Sequence, residues 1–474
     1  MPLVDIAIIG AGTAGMPIAI EAAQAGASIV VIEQSDRIGG TLHVSAGQMS
    51  GAGTQLQQSK GIVDSPAEHV ADARRISRET CNVPLVTKAA ALAGETIDWL
   101  MAQGFDVDPA CPAILHLHEA YRVRRTYWGR EGGRSILKIL CPLFDAAMTW
   151  PNAALRLGTE AVSLITGPDG AVIGVRLRDA AGRHSELLAR HVVLATGGYG
   201  GNAAMFERLT AGTKLYTPAL STSTGQGIVM AEALGAELRY AEHFIPTFAG
   251  IEEADGSGRV IWEHVPSLTP QVRPPWEIYV GGDGRRFVRE DSDSVDARER
   301  ALMHQPGLTF WTIFDDAILR DAPALLPGWS QAELATAWAS SPSFVYADTI
   351  EELAERTGID AAGLTATIAG YNDAIARGEP DPMGRQHRPC AIATTGLRAI
   401  RMHGIVLKTP AGLAVNEDLK VLDRTGTPIA NLYAAGEVIG GATLSGNSFV
   451  SGMSVTPALA FGRWLGRHLA EMPA

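Results

Sequence analysis

The segment from Val4 to Glu33 constrains the fold of this chain more than any other. An apolar run, Asp5-Ile-Ala-Ile-Ile9, suits a parallel strand buried on both faces. It breaks at Gly10-Ala-Gly12-Thr13-Ala14-Gly15, continues in an Ala/Ile-rich helical pattern, and returns as a second apolar run, Ser28 to Ile32, ending in Glu33. In such a unit the first glycine permits a tight turn, the second lets the backbone approach a pyrophosphate, and the third lets helix and strand pack closely. Phosphates then sit at the positive end of the helix. A carboxylate at Glu33 can hold ribose hydroxyls and repels a 2′-phosphate. Glycine-rich turns are common on their own, but here strand, helix, second strand and acid fall in register. The segment therefore predicts a dinucleotide site and leaves NAD and FAD both open.

A chain of 474 residues exceeds one ordinary core, which predicts two domains, or one with another inserted. With 39 basic against 51 acidic residues, net −12, nucleic acid and anionic membrane are poor partners. Cys81, Cys111, Cys141 and Cys390 are widely spaced, with no C-x-x-C pair. They read as reduced thiols of a cytoplasmic protein, and no metal site is expected. The first strand begins almost at once, without the pattern of a secretory leader, and no run of 18 uncharged apolar residues predicts a membrane span.

After Glu33 and Gln34 comes a loop of small residues, Gly39-Gly40-Thr41-Leu42-His43-Val44-Ser45-Ala46-Gly47. Pro66 to Ala102 reads as helical, and the Gly167-Pro-Asp-Gly170 turn joins two strands, one around Ala161 and one from Ala171. A buried strand from His191 runs into Ala195-Thr196-Gly197-Gly198, and a helix is predicted over Ala361 to Arg377. Near the end, Leu432-Tyr-Ala-Ala-Gly436-Glu437 is followed by Gly446-Asn447-Ser-Phe449-Val-Ser-Gly452 and a closing helix that starts near Ser454 and Val455. The G-G-T-x-x-x-S-A-G loop, the A-T-G-G strand end, L-Y-A-A-G-E and Gly284-Arg-Arg-Phe-Val-Arg-Glu290 together resemble the FAD-dependent fumarate reductase and 3-ketosteroid dehydrogenase superfamily. That resemblance spans essentially the whole chain.

It implies an α/β fold: a Rossmann-type FAD-binding domain with a parallel sheet, carrying an inserted α+β cap. The expected division is 1–240 and 391–474 for the FAD domain, and 241–390 for the cap. It also implies FAD contacts from Gly10, Gly12 to Gly15, Glu33, Gln34, Gly40 to Leu42, Ser45 to Gly47, Ala161, Ala195 to Gly197, Gly436, Glu437, Gly446, Asn447, Ser454 and Val455. Some relatives link FAD covalently through a histidine of this loop; here Leu42 aligns with the linking position, so noncovalent FAD is expected.

Flavin chemistry in this superfamily adds or removes two hydrogens across a C–C bond next to a carbonyl, which requires a proton carrier and a group that polarises the carbonyl. The arginine donor of fumarate reductases aligns with Ser294, their H-T-M-G-G motif reads Lys408-Thr-Pro-Ala-Gly412, and their dicarboxylate clamp aligns with Phe449. Candidate proton carriers are Tyr121, Tyr127, His243, Tyr279 and His403. The basic segment from Arg122 to Arg134 is either a solvated loop or an anion-recognition edge, with Arg125 its candidate substrate contact.

The leading expectation is a desaturase acting on a cyclic ketone or keto-acid, with an external electron acceptor. An enoate reductase running the reverse reaction and a non-catalytic flavin electron carrier stand as alternatives. A monomer or homodimer is expected.

Overall fold

In the computed structural model, which describes residues 3–472, the strand Val4–Ile9 lies inside a parallel sheet. It pairs with Ile29–Ile32 on one side and His184–Leu194 on the other, and Ala153–Arg156 extends the sheet beyond Ile29–Ile32. Pro428–Ala434 returns from far along the chain to pair in parallel with His184–Leu194. Such strands are covered on both faces, which is why they read as unbroken apolar runs. The helix Gly15–Gln24 is buried along nearly its whole length and packs against the closing helix Val455–Glu471.

The turn residues 167–170 do what their composition specifies. Thr159–Thr166 and Val172–Asp179 form an antiparallel hairpin, closed by the Gly167 amide donating to the Ala171 carbonyl. The predicted helix at 361–377 is observed as Ala361–Ala376. The helical pattern read over 66–102 is broken, however, into Pro66–Ile76 and Val83–Ala102. Pro84 accounts for the break: a proline is tolerated in a helix's first turn, where no amide donor is needed, but not in its interior. Asn82 caps the second helix by accepting from the Leu85 amide.

A second, antiparallel sheet comprises Thr247–Gly250, Ile278–Val280, Thr309–Asp315, Phe344–Ala347 and Leu397–Ile405. It has its own apolar core, built around residues such as Phe310, Ile313 and Ile368, separate from the core of the parallel sheet. The helix Val295–Met303 lies against Thr247–Gly250 and Leu397–Ile405. Among the described residues no helix is long and apolar enough to cross a membrane.

Candidate active site

The carboxyl ends of the parallel strands open into a cavity of about 820 Å³, the place where open α/β sheets bind ligands. Two glycines make the opening possible. Gly10 has φ +104°, and a Cβ there would lie 2.4 Å from the Ala195 carbonyl oxygen. A Cβ on Gly15 would lie 1.8 Å from the Gly10 oxygen, so the helix can start this close to the strand only without a side chain.

Gly12, Thr13 and Ala14 bring the helix N-terminus to the wall. Glu33, Gln34, Gly40, Thr41, Ser45, Ala46, Ala161, Ala195, Thr196, Gly197, Gly436 and Glu437 line it as well. Ser454 and Val455 place the start of the closing helix there, so two helix N-termini face one cavity. Leu42, Gly47, Gly446 and Asn447 stand behind the wall: Leu42 is buried, Gly47 is pressed against residues 132–133, Gly446 lies against Thr80, and the Asn447 amide donates to the Thr80 hydroxyl.

Glu33 is nearly buried. One of its oxygens accepts from the Ala11 amide at 2.9 Å, and the other accepts from the amide and hydroxyl of Ser35. Glu437 accepts from the Thr409 amide and hydroxyl on the same oxygen, and burial pushes its carboxyl above the ordinary range. The Thr196 hydroxyl is buried without a hydrogen-bond partner among the described residues. A partnerless hydroxyl, one buried and one half-buried carboxylate, close glycine backbone and two helix N-termini match the hydroxyls and phosphates of FAD.

At the other end of the cavity the wall is made of side chains. Lys408 and Phe449 are both there, with the Lys408 Nζ 4.3 Å from the centre of the Phe449 ring. That amine is buried without a hydrogen-bond partner among the described residues, and burial pushes it down to about 7. His118 stacks on the same ring, 3.5 Å between centroids and 20° from parallel, and also lines the cavity. Its Nδ1 lies 3.6 Å from Oε1 of Glu299, a residue 1% exposed on the helix Val295–Met303. Burial raises the Glu299 carboxyl, and His118 opposes that rise. Phe248, Trp262 and Leu268 complete an apolar side.

The five expected proton carriers are not on this wall. Tyr121 is buried and donates to the Ser451 carbonyl at 2.5 Å; Tyr127 is buried against the Thr54 hydroxyl at 2.6 Å. Tyr279 lies in the core of the second sheet, 3.3 Å from Oε1 of Glu277. Burial raises all three phenols, which makes them worse proton carriers near neutral pH. His403 is held by the Thr309 hydroxyl and stacks on Tyr216, and burial pushes it down to about 3. His243 lies 3.6 Å from Glu242.

Arg125 is also placed elsewhere. It is fully buried, binding Asp64 through two nitrogens and reaching Asp72 at 3.2 Å, so its charge serves the interior of the first unit, the one built on the parallel sheet, and not the second, built on the antiparallel sheet. Its neighbours Arg122, Arg124, Arg130 and Arg134 are exposed. Ser294 caps the helix Val295–Met303 and donates to Glu119 at 3.0 Å. Sequence reasoning missed His118 and Glu299. His118 heads the arginine-rich segment and Glu299 follows Ser294 by five residues, but only the fold brings them together.

A flavin cradle joined to a second unit that supplies buried proton-bearing side chains defines a flavin-dependent oxidoreductase. The family described as FAD binding domain matches residues 5–452, and the chain belongs to that family. It is 29% identical over 468 residues to a probable fumarate reductase of Shewanella frigidimarina, covering 98% of this chain and 75% of that one. It is 28% identical over 482 residues to the urocanate reductase of Eggerthella lenta, covering 99% and 75%. Its fold matches that of the 3-ketosteroid delta1-dehydrogenase from Sterolibacterium denitrificans with a TM-score of 0.78 at 21% identity, covering 99% of this chain and 100% of that one. The protein is thus an FAD-dependent oxidoreductase of that family, acting on CH–CH groups.

Proposed function

We propose that the protein reduces a C=C bond conjugated to a single carbonyl or carboxylate in a partly apolar compound. The observation that carries this reading is the Lys408 amine, buried on the cavity wall with no hydrogen-bond partner among the described residues. A buried donor of this kind is satisfied by a substrate oxygen. Bound FAD supplies the two-electron exchange with the C–C bond.

Phe449, at the position of the dicarboxylate clamp, leaves room for one anionic or carbonyl group and favours an apolar remainder, which Phe248, Trp262 and Leu268 accommodate. The reductase direction is supported by the two reductase relatives and by the burial of Tyr121, Tyr127 and Tyr279 away from the wall, which removes the phenols a desaturase reading relied on. Desaturation of a cyclic ketone remains the second reading, favoured by the apolar wall and the fold shared with a ketosteroid dehydrogenase.

The same reading takes 1–240 and 391–474 as the flavin domain around a cap at 241–390. It takes FAD as noncovalent, since His43 Nε2 lies 2.9 Å from the Ile38 carbonyl and Leu42 is apolar. It also takes the protein as a cytoplasmic monomer or homodimer exchanging electrons with an external partner. Four unpaired cysteines support the reducing compartment.

Anaerobic stopped-flow mixing tests the proposal. Dithionite-reduced protein should be reoxidised by an enoate or enone from a panel. Bleaching of the oxidised protein by a saturated ketone would establish the desaturase instead. If neither occurs, a flavin electron carrier becomes the reading to pursue.

A further inference from the structure

We propose that His118, oriented by Glu299, is the proton carrier of this site. This rests on the reading of the cavity as one that works on carbon next to a carbonyl. His118 belongs to the first unit, on the chain between the helices Val83–Ala102 and Gly133–Met148, whereas Glu299 arrives on the helix Val295–Met303 of the second. Their facing atoms, Nδ1 and Oε1, are both buried, and neither has a hydrogen-bond partner among the described residues. Leaving two such groups unsatisfied is costly, because each has given up water without gaining a partner. One proton shared across the 3.6 Å gap, with a small approach of the two, satisfies both.

That pairing fixes the chemistry of the ring. With Nδ1 committed to the carboxylate, Nε2 is the nitrogen left for the cavity that His118 lines. Stacking on Phe449 fixes the plane of the imidazole. A base held by a carboxylate on its far nitrogen is the arrangement proton-transfer sites use. In the reductive direction the Nε2–H bond breaks and its electron pair stays on nitrogen. The proton joins the carbon next to the carbonyl, and the enolate electron pair forms the new C–H bond. In the reverse direction neutral Nε2 takes that proton.

The contact between the two units is held in place on both sides. Asp296, one turn before Glu299, accepts from Arg78, Arg300 and the Ser448 hydroxyl, and Arg300 also donates to the Asn447 carbonyl. These bonds seat the helix that carries Glu299 against the first unit, so the carboxylate reaches His118 at a defined register. Ser294, which aligns with the arginine donor of fumarate reductases, is turned to Glu119, and His118 supplies the missing function from a different place in the sequence.

The test separates proton transfer from electron transfer. Oxidised, FAD-loaded protein is incubated anaerobically in D2O with cyclohexanone, 4-oxocyclohexanecarboxylate or a 3-oxo-steroid. Binding is read from the flavin difference spectrum and deuterium uptake by mass spectrometry. Wild type should exchange the hydrogens next to the carbonyl of any ketone that it binds. His118→Gln and His118→Asn should lower exchange by about 100-fold with the difference spectrum retained, and imidazole should partly rescue His118→Ala. Glu299→Gln should lower the rate at saturating ketone by about tenfold without changing half-saturation, a split that a merely structural role would not give.

Unchanged exchange in the His118 variants overturns the proposal. So does a wild type that binds ketones and exchanges none, while the functional reading would still stand on alkene-driven reoxidation. If no ketone perturbs the flavin and no alkene reoxidises it, both fall.

Discussion

The two ends of the one cavity are built from different materials. At the nucleotide end the work is done by backbone: glycines that admit a close approach, two helix N-termini, and carboxylates already braced by Ala11, Ser35 and Thr409. At the other end it is done by buried side chains with unmet hydrogen-bonding capacity, Lys408, His118 and Glu299, gathered around Phe449. The first construction is preorganised for a ligand of fixed shape. The second stores polar groups whose partner arrives with the substrate.

Substitutions should respect that division. The largest effect is expected at the nucleotide end, where Gly15→Val would drive a Cβ into the Gly10 oxygen and should abolish flavin retention, read as protein-bound absorbance. Lys408→Met, by contrast, should leave flavin bound and slow reoxidation by an alkene acid by about 10–100-fold, the worth of a hydrogen bond to a charged group. Loss of flavin in Lys408→Met would erase the distinction.

The wild-type amine holds an anion only when protonated, and burial places it at about 7. Affinity for a carboxylate ligand should therefore fall as pH rises through about 7, and the fall should vanish in Lys408→Met. Glu33→Gln should weaken FAD by about tenfold in a flavin-release titration, since one charged acceptor is replaced by a neutral one.

Stability offers a comparison between the two units themselves. His69 in the first and His403 in the second are both pushed by burial to about 3 from an ordinary 6.5. Below 6.5 the unfolded chain takes up protons that the folded one refuses. Stability should therefore fall from about pH 6.5 towards about 3, by roughly 1 kcal/mol per pH unit for each histidine. Melting curves of His403→Gln should show a shallower acid slope. The smallest effect is expected of Tyr127→Phe, which loses one buried hydrogen bond to Thr54: about 1 kcal/mol of stability, with turnover almost unchanged. A large loss of turnover would return Tyr127 to the site.

The same division explains what could be read in the sequence. The first strand, the glycine turn and the acid at Glu33 form one contiguous pattern, as do the 167–170 hairpin and the closing helix, so local rules were enough to place them. Lys408 and Phe449 were legible because each interrupts a motif. The break between Pro66–Ile76 and Val83–Ala102 was hidden because both helices turn apolar residues to the same core, and only Pro84 marked it. Residue type alone pointed to the phenols of Tyr121, Tyr127 and Tyr279, but burial decides whether a phenol can carry a proton, and burial is a property of the fold. His118 and Glu299 could not be paired in advance, because they come from different units and meet only after both have folded.

The position of Pro428–Ala434 beside His184–Leu194 has a consequence for the order of assembly. All five strands of the antiparallel sheet have left the ribosome once Ile405 has, whereas the parallel sheet still waits for a strand made later. The second unit can therefore close while the flavin cradle is open at that strand. Pairing across so long a stretch of chain is slow, and until it happens the edge of His184–Leu194 lies bare at Val192–Leu194. Supply of FAD during synthesis should then govern yield more than stability does, because the cofactor traps a cradle that is completed last.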